Sequence, residues 1–284
     1  MKRIIVPIDF SKEALHGLEL AIKLANSSGA IIEMVYVQKK SDDYTVGTYE
    51  EEFRYAEKNF KQIAEHFKTQ LESPENLTYI IKKGRIYKEI VNQAESFDDS
   101  LIVSSTHGAS GFEDIFIGSN TFKIITATER PVITIREKKI PNGIENIILP
   151  IDTTNDTRQK VPYTAKIAKL FGSTVHIINV LTTDNNEVYK RLRSYSNQVV
   201  EYMEKYNIDY KLASVKGKNI TDITIEYAES VHADMISMMT EQSVDINNFV
   251  LGSYAQQMLN KSPIPVLCIT PKELFKSGGF RAQG

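Results

Sequence analysis

The chain has 284 residues, 42% of them hydrophobic and 25% charged, which is the profile of folded globular domains and not of a disordered chain. That length fits roughly two domains of ordinary size, each able to bury a core. The 34 Lys and Arg are balanced by 36 Asp and Glu, for a net charge of −2; this gives no support to a nucleic-acid-binding surface but still allows a small anion held by backbone N–H groups.

Arg3 to Ile8 is a β-rich run without polar alternation, which suits a strand buried on both faces. Ser11 is a good N-cap, and Ala14, Leu18, Ala21, Ile22 and Ala25 follow at helical spacing. A strand is expected over Ile31 to Val37, a charged amphipathic helix over Tyr49 to Gln70, and a strand over Leu77 to Ile81, closed by Gly84. A helix over Ile86 to Ser96, a strand over Leu101 to Ser104, a helix over Ser119 to Thr128 and a strand over Val132 to Ile135 follow. The order then starts again. Strands are expected over Ile147 to Ile151, Val175 to Val180, Tyr210 to Val215, Met235 to Met238 and Val266 to Ile269. Helices are expected over Arg158 to Phe171, Glu187 to Tyr206, Ile220 to Ser230 and Ser253 to Asn260. Strands alternating with helices imply an α/β fold: two tandem Rossmann-like domains, each a five-stranded parallel sheet with helices on both faces. Ligands of such sheets bind beyond the carboxyl ends of the strands, so the loops after Ile8, Val37 and Ser104 are the candidates.

The repetition is visible in the residues themselves. Pro7-Ile8-Asp9 recurs as Pro150-Ile151-Asp152 and Val37 as Val180, both 143 positions on. Ala94-Glu95-Ser96 recurs as Ala228-Glu229-Ser230, Gly118-Ser119 as Gly252-Ser253 and Pro131-Val132 as Pro265-Val266, all 134 positions on. A duplication with one indel between Val37 and Ala94 explains both spacings, with the longer loop in the first copy around Lys39 to Thr48. The expected domains are residues 1–138 and 144–271, followed by a flexible tail over 272–284.

Cys268 is the one cysteine, so no intramolecular disulfide is possible, which fits a reducing compartment. The N-terminal apolar run is broken at Pro7 and Asp9, too soon for a signal peptide, and no stretch approaches the roughly 20 apolar residues of a membrane span. A soluble, cytoplasmic protein without a membrane partner is expected.

The loop after the fourth strand reads Ser105-Thr106-His107-Gly108-Ala109-Ser110-Gly111-Phe112 and runs on to Ile117-Gly118-Ser119-Asn120. Its glycines permit tight turns and close approach of a ligand. The N–H groups and dipole of the helix opening at Gly118-Ser119 suit phosphate, with the Ser119 hydroxyl as an extra donor. The plainer reading is a flexible loop with an ordinary serine N-cap. There is no Walker A sequence and no Gly-x-Gly-x-x-Gly. The five histidines show no metal-ligand spacing, and no Ser, His and Asp set can be placed together. His107 is read as orienting the loop in preference to acid–base work. The Glu50-Glu51-Glu52 run is read as a solvated helix start.

These residues resemble the universal stress protein family in its tandem two-domain form, from Arg3 to about Thr270. The family's ATP-binding members carry Gly, two residues, Gly, nine residues, then Gly followed by Ser or Thr. Here the register is Ser105, Thr106-His107, Gly108, Ala109 to Ile117, then Gly118-Ser119, with serine in place of the first glycine. The resemblance implies that Asp9 lies near ribose or metal and Val37 near adenine; taken alone, Asp9 is equally a turn residue before the first helix, and Val37 is core. The implied nucleotide set is Pro7, Asp9, Val37, Ser105, Thr106, His107, Gly108, Gly118, Ser119 and Asn120, with ATP as ligand and Mg²⁺ accompanying its phosphates. In the second copy the register falls on Met239, Gln242 and Gly252-Ser253, which resembles the family's non-binding class and implies a structural partner. The family's fifth strands pair antiparallel between protomers. Pro131 to Arg136 and Pro263 to Thr270, edge strands needing a neighbour, are therefore expected to pair within this chain as a pseudo-two-fold dimer, with a homodimer of tandem chains beyond that. The functional expectation is a regulatory nucleotide-binding protein with at most weak ATP hydrolysis. The alternatives are an interaction scaffold that leaves the loop empty, or a metabolic enzyme of related fold, whose acid or base the sequence does not supply.

Overall fold

Ten strands share one sheet in the computed structural model, which describes residues 1–39, 46–106, 118–136, 140, 143–240, 242–245 and 248–271. The first half runs β1 (Arg3–Pro7), α1 (Lys12–Ser28), β2 (Ile31–Lys39), α2 (Val46–Phe67), β3 (Leu77–Gly84), α3 (Ile86–Glu95), β4 (Ser100–Ser105), α4 (Ser119–Ala127) and β5 (Val132–Ile135). The second half runs β6 (Asn146–Ile151), α5 (Val161–Phe171), β7 (Thr174–Leu181), α6 (Asn186–Lys205), β8 (Tyr210–Lys216), α7 (Ile220–Ser230) and β9 (Met235–Met239). It continues through β10 (Gln242–Asp245), β11 (Asn248–Leu251) and α8 (Ser253–Lys261) to β12 (Val266–Ile269). The sheet order is β3-β2-β1-β4-β5-β12-β9-β6-β7-β8. Each five-stranded half is parallel, and the halves meet through β5 and β12, which pair antiparallel with Val266 opposite Thr134 and Cys268 opposite Val132. Two contacts flank this seam: Lys166 Nζ lies 2.7 Å from Asp99 Oδ1, and Thr270 Oγ1 donates to the Ile125 carbonyl at 3.1 Å.

The strands are apolar on both faces because helices cover both. Ile4, Val6, Ile32 and Met34 join a core with α1, α2, α5 and α6, while Ile5, Val35, Ile102 and Val132 join one with α3, α4, α7 and α8. Successive side chains of a strand point to opposite faces, so each strand feeds both cores. Helix α1 begins where the Ser11 hydroxyl accepts the Ala14 N–H at 3.1 Å, and ends at Gly29, whose φ of 67° only glycine adopts without strain. Gly172 ends α5 in the same way at φ 66°.

Several boundaries differ from expectation for physical reasons. Helix α2 begins at Val46, not Tyr49, so the polar loop before it is shorter than read. The segment from Arg158 is not continuous helix: a 3-10 turn at Asn155–Arg158 precedes α5, because Pro162 favours the first turn of a new helix over the interior of an old one. The length difference between copies is also not one indel. Ala56, Phe60, Ile63 and Phe67 of α2 match Leu192, Ser196, Val199 and Met203 of α6 at a spacing of 136, while Ile32 faces Leu77 as Val175 faces Tyr210, a spacing of 133 for β3 and β8. The segment between Met239 and Gly252, expected as a loop, contains an antiparallel hairpin in which Gln242 pairs with Leu251 and Asp245 with Asn248. The tail from 272 lies outside the described residues.

Candidate functional site

The chain leaves β1 outward through β2 to β3 and returns to place β4 on the other side of β1. The crevice between the carboxyl ends of β1 and β4 is therefore a topological switch point, where open α/β sheets hold ligands. Asp9 lies just past β1 and is exposed; its Oδ1 accepts the Ser11 N–H at 3.0 Å and the Ser11 hydroxyl. The carboxylate thus orients the serine that caps α1. Between them Phe10 adopts φ 64°, the left-handed region, which turns the chain sharply beside the crevice. Pro7 ends β1, half-buried. Val37 is 7% exposed and packs in the core beneath α3 and α4.

The far wall is built at the end of β4. The Thr106 N–H donates to the Ile135 carbonyl at 2.9 Å, and the Thr106 carbonyl accepts the Gly118 N–H at 2.6 Å. The Thr121 hydroxyl donates to the Ser105 carbonyl at 2.8 Å and lies 3.2 Å from the Ser104 hydroxyl. These bonds fasten β4, β5 and the N-terminus of α4 together at the base of the glycine-containing loop. The fastening explains Gly118 directly: a Cβ there would lie 2.9 Å from the Thr106 oxygen. The expected serine cap is corrected: Gly118 is the N-cap of α4, with no side-chain cap bond, and Ser119 and Asn120 are exposed at its first turn. Since the Gly118 N–H is engaged, the donors that suit an anion are the N–H groups of the α4 first turn and the Ser119 hydroxyl. His107 and Gly108 lie outside the described residues.

Sequence reasoning missed Thr121, because a threonine in a first helical turn carries no distinctive pattern. It also gave no role to Gly17, on the face of α1 toward β4, where an added Cβ would be in ordinary contact 3.5 Å from the Ser105 nitrogen.

The second switch point, between β6 and β9, is built from different side chains. Asp152 repeats Asp9: its Oδ1 accepts the Thr154 N–H at 2.7 Å and hydroxyl at 2.6 Å. At the position of Gly17, 143 residues on, stands Lys160. Its side chain is 2% exposed and its Nζ donates to Thr157 Oγ1 at 3.0 Å. Burial pushes this ammonium down to about 8, partly opposed by the nearby Asp152 carboxylate. The repeat spacing was the signal that could have found it, since it sets a lysine against a glycine on the buried face of a helix. Beyond β9, Met239 is the last strand residue and Gln242 the first of the hairpin, while Gly252 is the N-cap of α8.

Two doubly wound halves, fused edge to edge through their fifth strands and each with an aspartate and a glycine-capped helix around its switch point, define a tandem Rossmann-like α/β protein. The universal stress protein family model matches residues 1–136 and again 143–270, and the chain belongs to that family. Its fold is that of a solved universal stress protein from Archaeoglobus fulgidus DSM 4304, 18% identical, with a TM-score of 0.77 over 94% of this chain and 98% of that one. Two single-domain-length relatives come from Methanocaldococcus jannaschii. The universal stress protein MJ0531 is 28% identical over 148 residues, 49% of this chain and 84% of that protein. The universal stress protein MJ0577 is 28% identical over 155 residues, 48% of this chain and 96% of that protein. Among the described residues, no helix is long and apolar enough to cross a membrane.

Proposed function

We propose that this protein is a regulatory nucleotide-binding protein of the stress response, acting in the cytoplasm, that takes one ATP in its first domain, residues 1–138, while the second, residues 144–271, is its structural partner. The observation that carries the reading is the base of the first loop, where the Thr106–Gly118 bond sets the α4 N-terminus beside the switch point opposite Asp9. The residues fit the ligand. A helix N-terminus without a side-chain cap bond and with two polar residues in its first turn suits phosphate, and an exposed carboxylate at Asp9 suits ribose or a Mg²⁺ ion that keeps most of its waters. Pro7, Val37, Ser105, Thr106, His107, Gly108, Gly118, Ser119 and Asn120 complete the proposed set. Bound nucleotide would change the surface offered to a partner.

The second switch point supports the one-site reading. Gln242 pairs with Leu251, zipping the base of the segment that replaces the loop, and the buried Lys160, its Nζ on Thr157, stands at the position of Gly17. The antiparallel β5–β12 pairing supports reading the halves as an intrachain pseudo-dimer. Calorimetric titration of the full chain with ATP and Mg²⁺ tests the proposal. One ATP per chain is expected; two would restore the second domain as a site, and no heat or co-purified nucleotide would favour the alternative of a scaffold that leaves the loop empty.

A further inference from the structure

The two halves differ on the α1–α2 and α5–α6 side of the sheet, opposite the layer that covers Val37 and Val180. In the first half the space between α2 and the ends of β2 and β3 is filled by aromatic rings. Phe10 and Tyr36 have centroids 5.0 Å apart, Phe10 and Phe60 lie 5.2 Å apart, and Phe60 stacks on Tyr79 at 4.7 Å with planes 15° apart. Structural register places Thr153, Asn179, Ser196 and Leu212 at these four positions in the second half. Four rings have become two small hydroxyls, an amide and a leucine, and the backbone has not closed over the difference. A cavity of about 390 Å³ remains between α6 and β7–β8, lined by Asn179, Ser196 and Leu212 among others. That volume is at the lower end of small-molecule sites.

The lining says what would fill it. Buried Leu181 and Leu192 and the edge residue Leu212 make apolar walls. The Ser196 hydroxyl donates to Asn179 Oδ1 at 2.6 Å, and among the described residues the Asn179 amide nitrogen donates to no acceptor, so its two N–H groups remain for a ligand. Arg193 stands exposed at the rim and offers a fork of donors to a carboxylate. We propose that this cavity is a binding site for a small aromatic acid: a flat ring seated where the first half stacks Phe60 on Tyr79, with its carboxylate on Arg193. Asn179 shares a face with the α5–α6 layer, whereas Val37 and its counterpart Val180 lie under the opposite layer, so this site is separate from the nucleotide crevice.

Saturation-transfer NMR on the full chain, with indole-3-acetate at about 1 mM as probe, tests the proposal at a concentration that reads affinities into the millimolar range. The parent should transfer saturation to the indole protons, with or without ATP present. Leu212→Tyr restores the first half's residue at a position 54% exposed, where the fold tolerates it; it should abolish transfer with an unchanged melting temperature. Ser196→Phe should also abolish transfer, from the helix side. Arg193→Gln should weaken indole-3-acetate at least tenfold and leave the uncharged indole-3-acetamide unaffected. Absence of transfer in the parent, or undiminished transfer in Leu212→Tyr, overturns the site. Equal effects of Arg193→Gln on acid and amide overturn the acid as its ligand.

Discussion

The Gly118 N–H donates to the Thr106 carbonyl at 2.6 Å, and a Cβ on Gly118 would come within 2.9 Å of that same oxygen. The glycine is therefore needed to shut the base of the loop, before any ligand is considered. Gly118→Ala should break this bond and lower the melting temperature of the protein without nucleotide, since a buried carbonyl losing its donor costs about 1–3 kcal/mol. Gly118→Val should do so more severely and also abolish ATP binding. An unchanged melting temperature in Gly118→Ala would show that the loop base is not fastened in this way.

Ser119→Ala separates ligand from fold. Because Gly118 and not Ser119 is the N-cap, and Ser119 is exposed, the variant should melt within a degree or two of the parent. Loss of a hydroxyl donor to a charged acceptor should weaken ATP by roughly 1.5–3 kcal/mol, or on the order of tenfold to a hundredfold. Ser105→Gly should leave affinity unchanged or raise it. Parent-like ATP affinity in Ser119→Ala, measured by calorimetry, would remove this hydroxyl from the site.

Much of this was legible in the sequence, for identifiable reasons. Val132–Ile135 and Val266–Ile269 are short runs rich in apolar and β-branched residues, each preceded by proline, and they form strands with those bounds. Ser11 caps α1 as its position before a helical apolar pattern implies. Gln242–Leu251 was not legible as a hairpin, because its strands are four residues each and the segment was aligned with a glycine loop. Lys160 was not legible as buried, since a lysine is almost never fully buried without a partner, and only its alignment with Gly17 places it under the sheet ends. The aromatic quartet of the first half was not legible as a unit, because its rings come from a loop, two strands and a helix.

A partly buried trio shows how the halves diverged while keeping their hydrogen bonds. In the first half Glu33 is bound by Arg3 at 3.1 Å and by Gln93 at 2.5 Å. In the second, His176 takes the place of Glu33, with Asn146 and Tyr227 each 3.1 Å from its ring nitrogens. Burial lowers the His176 pKa, with Lys211 adding to the effect. The folded state therefore binds fewer protons than the unfolded state, and stability should fall as pH drops through the ordinary histidine range near 6.5 toward the lowered folded value. The parent's melting temperature should decline between pH 7 and 5 more steeply than that of His176→Gln. Parallel curves would show that His176 does not carry the acid sensitivity.

Cys268 lies on β12 opposite Val132, 1% exposed, and burial pushes its thiol pKa far up. Since the thiolate is the reactive form, the native protein should resist iodoacetamide at pH 8, and labelling should track unfolding in urea. Rapid labelling of the native chain, read by mass spectrometry, would show that the β5–β12 seam opens readily.

Lys160 carries the sharpest consequence of the divergence between the two switch points. Its ammonium is buried and its nitrogen has one hydroxyl partner, Thr157, with Asp152 attracting it from nearby. Folding therefore works against its charge. With a folded pKa of about 8 against an unfolded value near 10.4, the cost at neutral pH is on the order of 3 kcal/mol, discounted by whatever relaxation the site allows. Below the folded pKa both states are protonated and the full cost is present; between the two values the unfolded state binds more protons, so stability rises with pH. Lys160→Met keeps most of the length of the side chain and removes the charge, so it should raise the melting temperature at pH 7. Its advantage over the parent should shrink as pH climbs from 8 to 10, because the parent's lysine then becomes neutral on its own. Lys160→Ala would leave a cavity and does not make this comparison cleanly. If Lys160→Met is less stable than the parent at pH 7, the ammonium is favourably held by Asp152 and Thr157.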